Sequence, residues 1–308
     1  KVIRVDNDTK KLMNEFYKDM KRDKTPPYAV FQADTGDTIV TLYESGKAMF
    51  QGVSADIEAG MWESIRKDKD NIDYFMDTKD TKIKKEDQVD IPSDIASVGS
   101  DEVGTGDYYG PIVVTASFVS KDNIPFLTEL GVRDSKKLSD EQILKLVPKI
   151  IKKIPYKTIM LSNKEYNDNY GKDMNMNKIK AVLHNKVLTE MVKDNDYDYI
   201  VVDQFEPEKS YYNHLSDVPN PLKGITFITK AEDKCLSVAV SSLISRYIFI
   251  KEMDKLGDKY GIFLPKGANY YVDDVGIKLV NKYGEKILHD IAKLNFSNTD
   301  RILKEVRK

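Results

Sequence analysis

Four acidic residues stand where a folded core is expected. Asp101 and Glu102 lie side by side in "VGSDEVGTGDYYGPIVV", between apolar, β-prone flanks. Asp203 ends the apolar run of "YIVVDQF", and Glu232 lies in "FITKAEDK", where a strand gives way to a helix. Each falls at or near the C-terminal end of an expected strand, the edge on which α/β sheets build their sites. A buried carboxylate without a counter-ion is costly, so it must be neutralised, paired or bound to metal. Several that converge repel one another, and a divalent cation resolves this; hard oxygen donors select Mg²⁺ or Mn²⁺ over zinc. The competing reading is ordinary: a single acid at a strand end is more often a turn residue or a helix cap. By that logic Asp233 is the better cap for the helix after Glu232. Glu102 also poses a geometric difficulty, because adjacent strand residues point to opposite faces. Both acids reach one site only if the strand ends or bulges there, a distortion that Gly104 and Gly106 make easy.

Two neighbouring stretches suit phosphate and sugar chemistry. "VRDSKKLS" puts Ser135, Lys136 and Lys137 in a loop before a helix, where two ammonium groups and a hydroxyl can hold a phosphate backbone. The bare backbone of Gly104, Thr105 and Gly106 allows close approach by a polar group such as a sugar edge. No Gly-Lys-Ser/Thr follows these glycines, so a P-loop is excluded. Tyr108 and Tyr109 read as packing residues.

The elements that must position these groups follow from the patterning. "DTKKLMNEFYKDMKRDK" has Leu12, Phe16 and Met20 at helical spacing and predicts an amphipathic helix over 8–24, stopped by "TPPY". "YAVFQAD", "TIVTLYE" and "KAMFQG" predict a β-meander, and "SADIEAGMWESIRKD" a second helix. One face of that sheet packs the helices and the other is open. The first seventy or so residues therefore form a small α+β domain (1–70), followed by a mixed-charge linker (71–93). From 94 to 308 strands alternate with helices, predicting a mixed or parallel central sheet flanked by helices. Ser139 caps the helix of "SDEQILKLVPKIIKKI", 175–194 and "DKCLSVAVSSLISRYIFIKEMDKL" form long helices, and two more helices close the chain near 272–283 and 285–292.

Composition narrows the function class. Of 308 residues 32% are charged, and the net charge is −2, so no global cationic field draws nucleic acid in; a local basic face remains open. One cysteine excludes an internal disulfide and fits a reducing cytoplasm, and three histidines leave no zinc cluster. No apolar run is long enough to span a membrane.

Together the motifs resemble the ribonuclease HIII family of bacterial type 2 ribonucleases H. "DEVGTGDYYGPIVV", "DSKKL", "VVDQF", "TKAEDKCLSVAVSSLISRY", "LPKGANYYVDD" and "AKLNFSNTDRIL" carry the likeness over essentially the whole chain. Gly-Thr-Gly and the acid Glu232 favour HIII over HII, and the N-terminal module resembles a TATA-binding-protein-like domain. The serines of "VAVSSLISRY", where the family often has alanine, are expected to alter helix packing slightly and to leave the chemistry untouched. The resemblance implies an RNase H-like fold and endonucleolytic cleavage of RNA paired with DNA. It makes Asp101, Glu102, Asp203 and Glu232 the ligands of two Mg²⁺ or Mn²⁺ ions, about 4 Å apart across the scissile phosphate, leaving 5′-phosphate and 3′-hydroxyl ends. Gly104, Thr105 and Gly106 would read the ribose 2′-hydroxyl, Ser135, Lys136 and Lys137 would hold phosphates, and the N-terminal sheet would add contacts to the hybrid. A monomeric, cytoplasmic enzyme acting on an RNA–DNA hybrid duplex is expected. The alternatives are HII-like incision at single ribonucleotides in DNA and a non-catalytic hybrid-binding protein.

Overall fold

Alternating apolar residues and short turns build the first sheet. The computed structural model describes residues 1–35, 38–52, 55, 58–60, 62, 91–133, 138–171 and 173–308. It divides into two compact units, residues 1–88 and 89–308. In the first, strands β1 (Val2–Arg4), β2 (Ala29–Asp34), β3 (Thr38–Tyr43) and β4 (Lys47–Gly52) form an antiparallel sheet in the order β1-β4-β3-β2. Phe31, Ala33, Val40, Leu42, Ala48 and Phe50 join Met13, Tyr17 and Trp62 in one core. The other face carries Gln32, Thr41 and Met49 in one row, with Gln32 donating to the Thr41 hydroxyl at 3.0 Å.

The first helix is shorter than its pattern suggests. α1 spans Asn7–Phe16 and is capped by Asp6, whose carboxylate accepts from the Thr9 N–H at 2.8 Å. A single 3₁₀ turn (Lys18–Met20) follows, so Met20 is exposed and Met13 and Tyr17 take the buried positions. The edge strand β1 was not expected; only three residues long, it gives no periodicity to read. The second helix is seen at 55, 58–60 and 62, and the residues expected to form the linker lie outside the described residues up to 90.

The second unit has a five-stranded mixed sheet in the order β7-β6-β5-β8-β9. Its strands are β5 (Ser97–Val103), β6 (Ile112–Val119), β7 (Tyr156–Leu161), β8 (Tyr199–Asp203) and β9 (Ile225–Ile228). β5, β8 and β9 are parallel, while β6 and β7 run antiparallel to their neighbours. The helices are α2 (Ile124–Glu129), α3 (Asp140–Ile150), α4 (Asn163–Asn169), α5 (Met176–Val192), α6 (Glu208–His214), α7 (Ala231–Lys234), α8 (Leu236–Tyr260), α9 (Tyr270–Tyr283), α10 (Ile287–Ile291) and α11 (Ser297–Val306). Ser139 caps α3 in a reciprocal capping box with Gln142, and Asn175 caps α5. The expected pair of C-terminal helices is a trio: "FSNTDRIL" forms α11, whose Arg301 and Asn298 bind the buried Asp273 of α9. Among the described residues no helix is long and apolar enough to cross a membrane.

α5 covers one face of the sheet and α8 the other. The α5 side is sealed by Val98, Val114, Ala116, Val202, Leu183, Val187 and Leu188. On the other side α8 lies close to β5 because small residues meet there. Gly99 faces it, and a Cβ at that position would fall 2.6 Å from the Val238 backbone nitrogen. A serine ladder locks the contact: Ser241 donates to the Gly99 carbonyl at 2.8 Å and Ser245 to the Asp101 carbonyl at 3.2 Å. Backbone cannot yield as a flexible side chain does, so Gly99→Ala is expected to cost about 1–3 kcal/mol, the usual scale of overpacking. Urea denaturation of the two proteins, compared by midpoint at equal slope, measures it.

Candidate active site

The parallel pairing of β5 with β8 brings two of the four acids together. The register pairs Ser100 with Val202, so Asp101 and Asp203 follow on adjacent strands and point to the same side, toward α8. Asp101 accepts from the Glu102 N–H at 2.8 Å and from the Ser242 hydroxyl. Burial, then the charges of Glu102 and Asp203, push the Asp101 carboxyl well above its ordinary range. Asp203 accepts from the Ala231 N–H at 2.8 Å. Its carboxyl is also raised, first by burial and then by Glu232 and Glu102, against the pull of that hydrogen bond and of Lys180.

Glu232 arrives by a different route from the one its sequence suggests. β9 ends at Ile228, and the chain turns through Lys230, whose φ of 57° is left-handed. α7 then carries Glu232 in its first turn, with Oε2 buried beside Asp203. It is therefore a short-helix residue beyond the strand, not a strand-end residue. Neither Glu232 nor Asp233 caps: the cap position is Lys230, with no side-chain cap bond, and the long α8 starts separately after Cys235.

Glu102 faces the opposite way from Asp101, as strand alternation dictates, with no bulge to redirect it. Its carboxylate meets α5, where Lys180 Nζ lies 2.5 Å from Oε1 and His184 Nε2 2.9 Å from Oε2. Burial alone would raise the Glu102 carboxyl, but Lys180 and His184 outweigh it and hold it below the usual carboxylate range. His184 is fully buried, with Nδ1 2.7 Å from the Ser100 hydroxyl and its ring stacked on Phe205. Among the described residues no group of three or more His, Cys, Asp or Glu is arranged to hold an ion with Glu102 in this position.

The glycine loop is built by the fold as much as for a ligand. Gly104 has φ +97°, and a Cβ there would meet the Pro111 carbonyl at 2.1 Å, so glycine is required whatever binds. Thr105 is half-buried and Gly106 exposed. Tyr108 and Tyr109 are wholly buried. The loop is clamped from behind by Lys293, fully buried, which donates to the carbonyls of Asp107 at 2.8 Å and Gly110 at 2.6 Å. Ser135, Lys136 and Lys137 lie outside the described residues.

Sequence reading missed Lys180, His184 and Lys293. The serine expectation needs correcting: Ser242 and Ser245 touch the carboxylate and carbonyl of Asp101, so they bear on the site directly. Lys180 and His184 sit four residues apart in "KAVLH", a polar pair inside an apolar helix pattern, which was the available signal.

The comparisons with known proteins agree with this architecture. Residues 98–299 match the family model of ribonuclease HII, and residues 1–73 that of a domain of unknown function, DUF3378. Ribonuclease HIII of Bacillus pumilus is 39% identical over 309 residues, covering 98% of each chain. The chain belongs to the ribonuclease HIII family. Ribonuclease HIII of Bacillus subtilis is 40% identical over 282 residues, 90% of this chain and 88% of that one. The crystal structure of Bst-RNase HIII in complex with Mn²⁺ aligns with a TM-score of 0.68 at 34% identity, covering 100% of this chain and 99% of that one.

One acid near these carboxylates carries a pH signature. Burial pushes the Glu206 carboxyl up to about 7, with Lys180 pulling the other way. Its folded value lies above its unfolded one, so the stability contributed by the protonated acid is full below about pH 4.5 and is lost as pH rises through 7. Glu206→Gln should therefore gain stability relative to the parent between pH 5 and 8, by roughly 1–2 kcal/mol after solvent screening. Melting temperatures of both proteins across that range give the test, and parallel curves would refute it.

Proposed function

We propose that Asp101, Glu102, Asp203 and Glu232 hold the divalent metal with which this chain cleaves the RNA strand of an RNA–DNA hybrid. As a member of the ribonuclease HIII family it is a metal-dependent endoribonuclease acting on such hybrids. The observation that carries the site assignment is the meeting of Asp101 and Asp203 on adjacent parallel strands, each raised by burial and by the other acids. The donor set fits a hard cation: it is all carboxylate oxygen, and a cation offsets the burial and repulsion that raise Asp101 and Asp203. Two ions, Mg²⁺ or Mn²⁺, are the proposed complement. When bound, they supply Lewis-acid stabilisation of the phosphate oxygens and a water acidic enough to be deprotonated near neutral pH.

The residues themselves do the positioning. Ser242 and the Glu102 N–H fix the Asp101 carboxylate. The Ala231 N–H fixes Asp203 and ties the turn bearing Glu232 to the end of β8. Lys293 holds the backbone after Gly104-Thr105-Gly106, and this loop is the proposed reader of the ribose 2′-hydroxyl, the group that separates RNA from DNA. Ser135, Lys136 and Lys137 are proposed to hold phosphates. The N-terminal unit is proposed to add contacts to the hybrid by shape and charge.

Asp203→Asn keeps the size and the Ala231 hydrogen bond but removes the charge. It should reduce Mg²⁺-dependent cleavage on the order of 10³-fold or more, the scale of losing a group that stabilises transition-state charge, while hybrid affinity changes little. Cleavage of end-labelled duplexes with a continuous RNA tract, beside a gel-shift on the same duplex, measures both. Retained activity would remove Asp203 from the site. A duplex with one embedded ribonucleotide, run in parallel, separates hybrid cleavage from HII-like incision.

A further inference from the structure

The carboxylate of Glu102 is held by two groups of unequal character. His184 is fixed at both ends, by Glu102 and by Ser100, and is wholly buried against Phe205. Lys180 is tethered only through a flexible stem. Its ammonium lies 2.5 Å from Glu102, rests 3.9 Å from the centre of the Phe205 ring, and its side chain keeps 12% exposure. It also acts electrostatically on Asp203 and Glu206. Lys180 is thus a compact positive charge set among the carboxylates of the site, on a chain that can swing away.

We infer that Lys180 is a stand-in cation: it neutralises Glu102 in the metal-free protein and is displaced when a divalent ion binds. The inference rests on the reading of Glu102 as a metal ligand. Two observations drive it. Glu102 points at α5 and away from Asp101, so joining Asp101 and Asp203 requires Oε1 to leave Lys180. A divalent ion beside Asp101 and Asp203 also reverses the local field, so the ammonium that was attracted there becomes repelled. His184 stays on Ser100 and serves as the pivot. The pair therefore stabilises the metal-free fold and lowers metal affinity, because each binding event must first break it.

The test uses the full-length protein without nucleic acid. Mn²⁺ and Mg²⁺ binding is measured by titration calorimetry, and melting temperature is measured in chelator and in excess metal. Lys180→Met keeps the stem on Phe205 and removes the charge. It should bind Mn²⁺ at least fivefold more tightly than the parent, melt lower in chelator, and show a larger metal-induced rise. Lys180→Arg keeps the charge in a forked group better matched to a carboxylate, and should bind the metal several-fold more weakly. Glu102→Gln is run alongside. If Glu102→Gln weakens metal binding while both Lys180 variants bind as the parent does, or Lys180→Met binds more weakly, the stand-in role is overturned and the ligand reading survives. If Glu102→Gln binds metal as the parent does, the ligand reading itself falls, and the stand-in role with it.

Discussion

The second unit is organised around one electrostatic conflict. Parallel pairing of β5 with β8 sets Asp101 and Asp203 side by side at the edge of a sheet whose interior is apolar. Water cannot solvate both fully, and each raises the free energy of ionising the other. The surrounding structure reads as a set of partial remedies. Serine hydroxyls and backbone N–H groups point at the carboxylates, and a lysine and a histidine take up the third acid from the far face of the sheet. Each remedy leaves the central pair short of a full positive charge, which is the condition a divalent ion satisfies.

Such an edge needs both flanking helices close to the sheet. Large side chains on α8 would hold it away from β5 and leave the hydroxyls of Ser242 and Ser245 out of reach of Asp101. Gly99 on the strand and Ser237, Ser241 and Ser245 on the helix remove that bulk; the Ser241 and Ser245 hydroxyls donate to the strand carbonyls of Gly99 and Asp101, while that of Ser237 meets the Ser97 hydroxyl. A change from serine to alanine keeps the approach but drops these bonds. The helix is therefore a positioning element for the site, and its polar stripe does more than fill space.

Much of this was legible in the sequence because it is local. The strand with Asp203 at its end, the cap at Ser139, the long α5 and α8 and the mixed sheet all follow from periodicity and turn chemistry within short windows. What was not legible depends on distant pairing. Strand alternation turns Glu102 away from Asp101, but the partner it meets there, His184, lies 82 residues downstream. Glu232 reaches Asp203 through a left-handed turn at Lys230, a conformation that sequence does not announce at a non-glycine residue. α1 stops at Phe16 although lysines and a methionine continue its pattern, and Tyr17 just beyond it enters the core, where its hydroxyl meets Trp62 and Glu58.

Two lysines show how differently one residue type can serve a site. Lys293 donates to two backbone carbonyls, and burial brings its ammonium down to about 7. A neutral amine still has two N–H groups to donate. Losing the proton therefore leaves the clamp on the glycine loop in place, and this lysine works by shape and direction. Lys180 faces carboxylates, and there the charge is the function: without it Glu102 is a desolvated anion beside two others. A lysine held by backbone carbonyls suits a permanent structural clamp, whereas direct pairing with a carboxylate on a flexible stem suits a charge that must later give way. The fold puts the first behind the loop proposed to contact ribose, and the second at the acid proposed to turn toward metal.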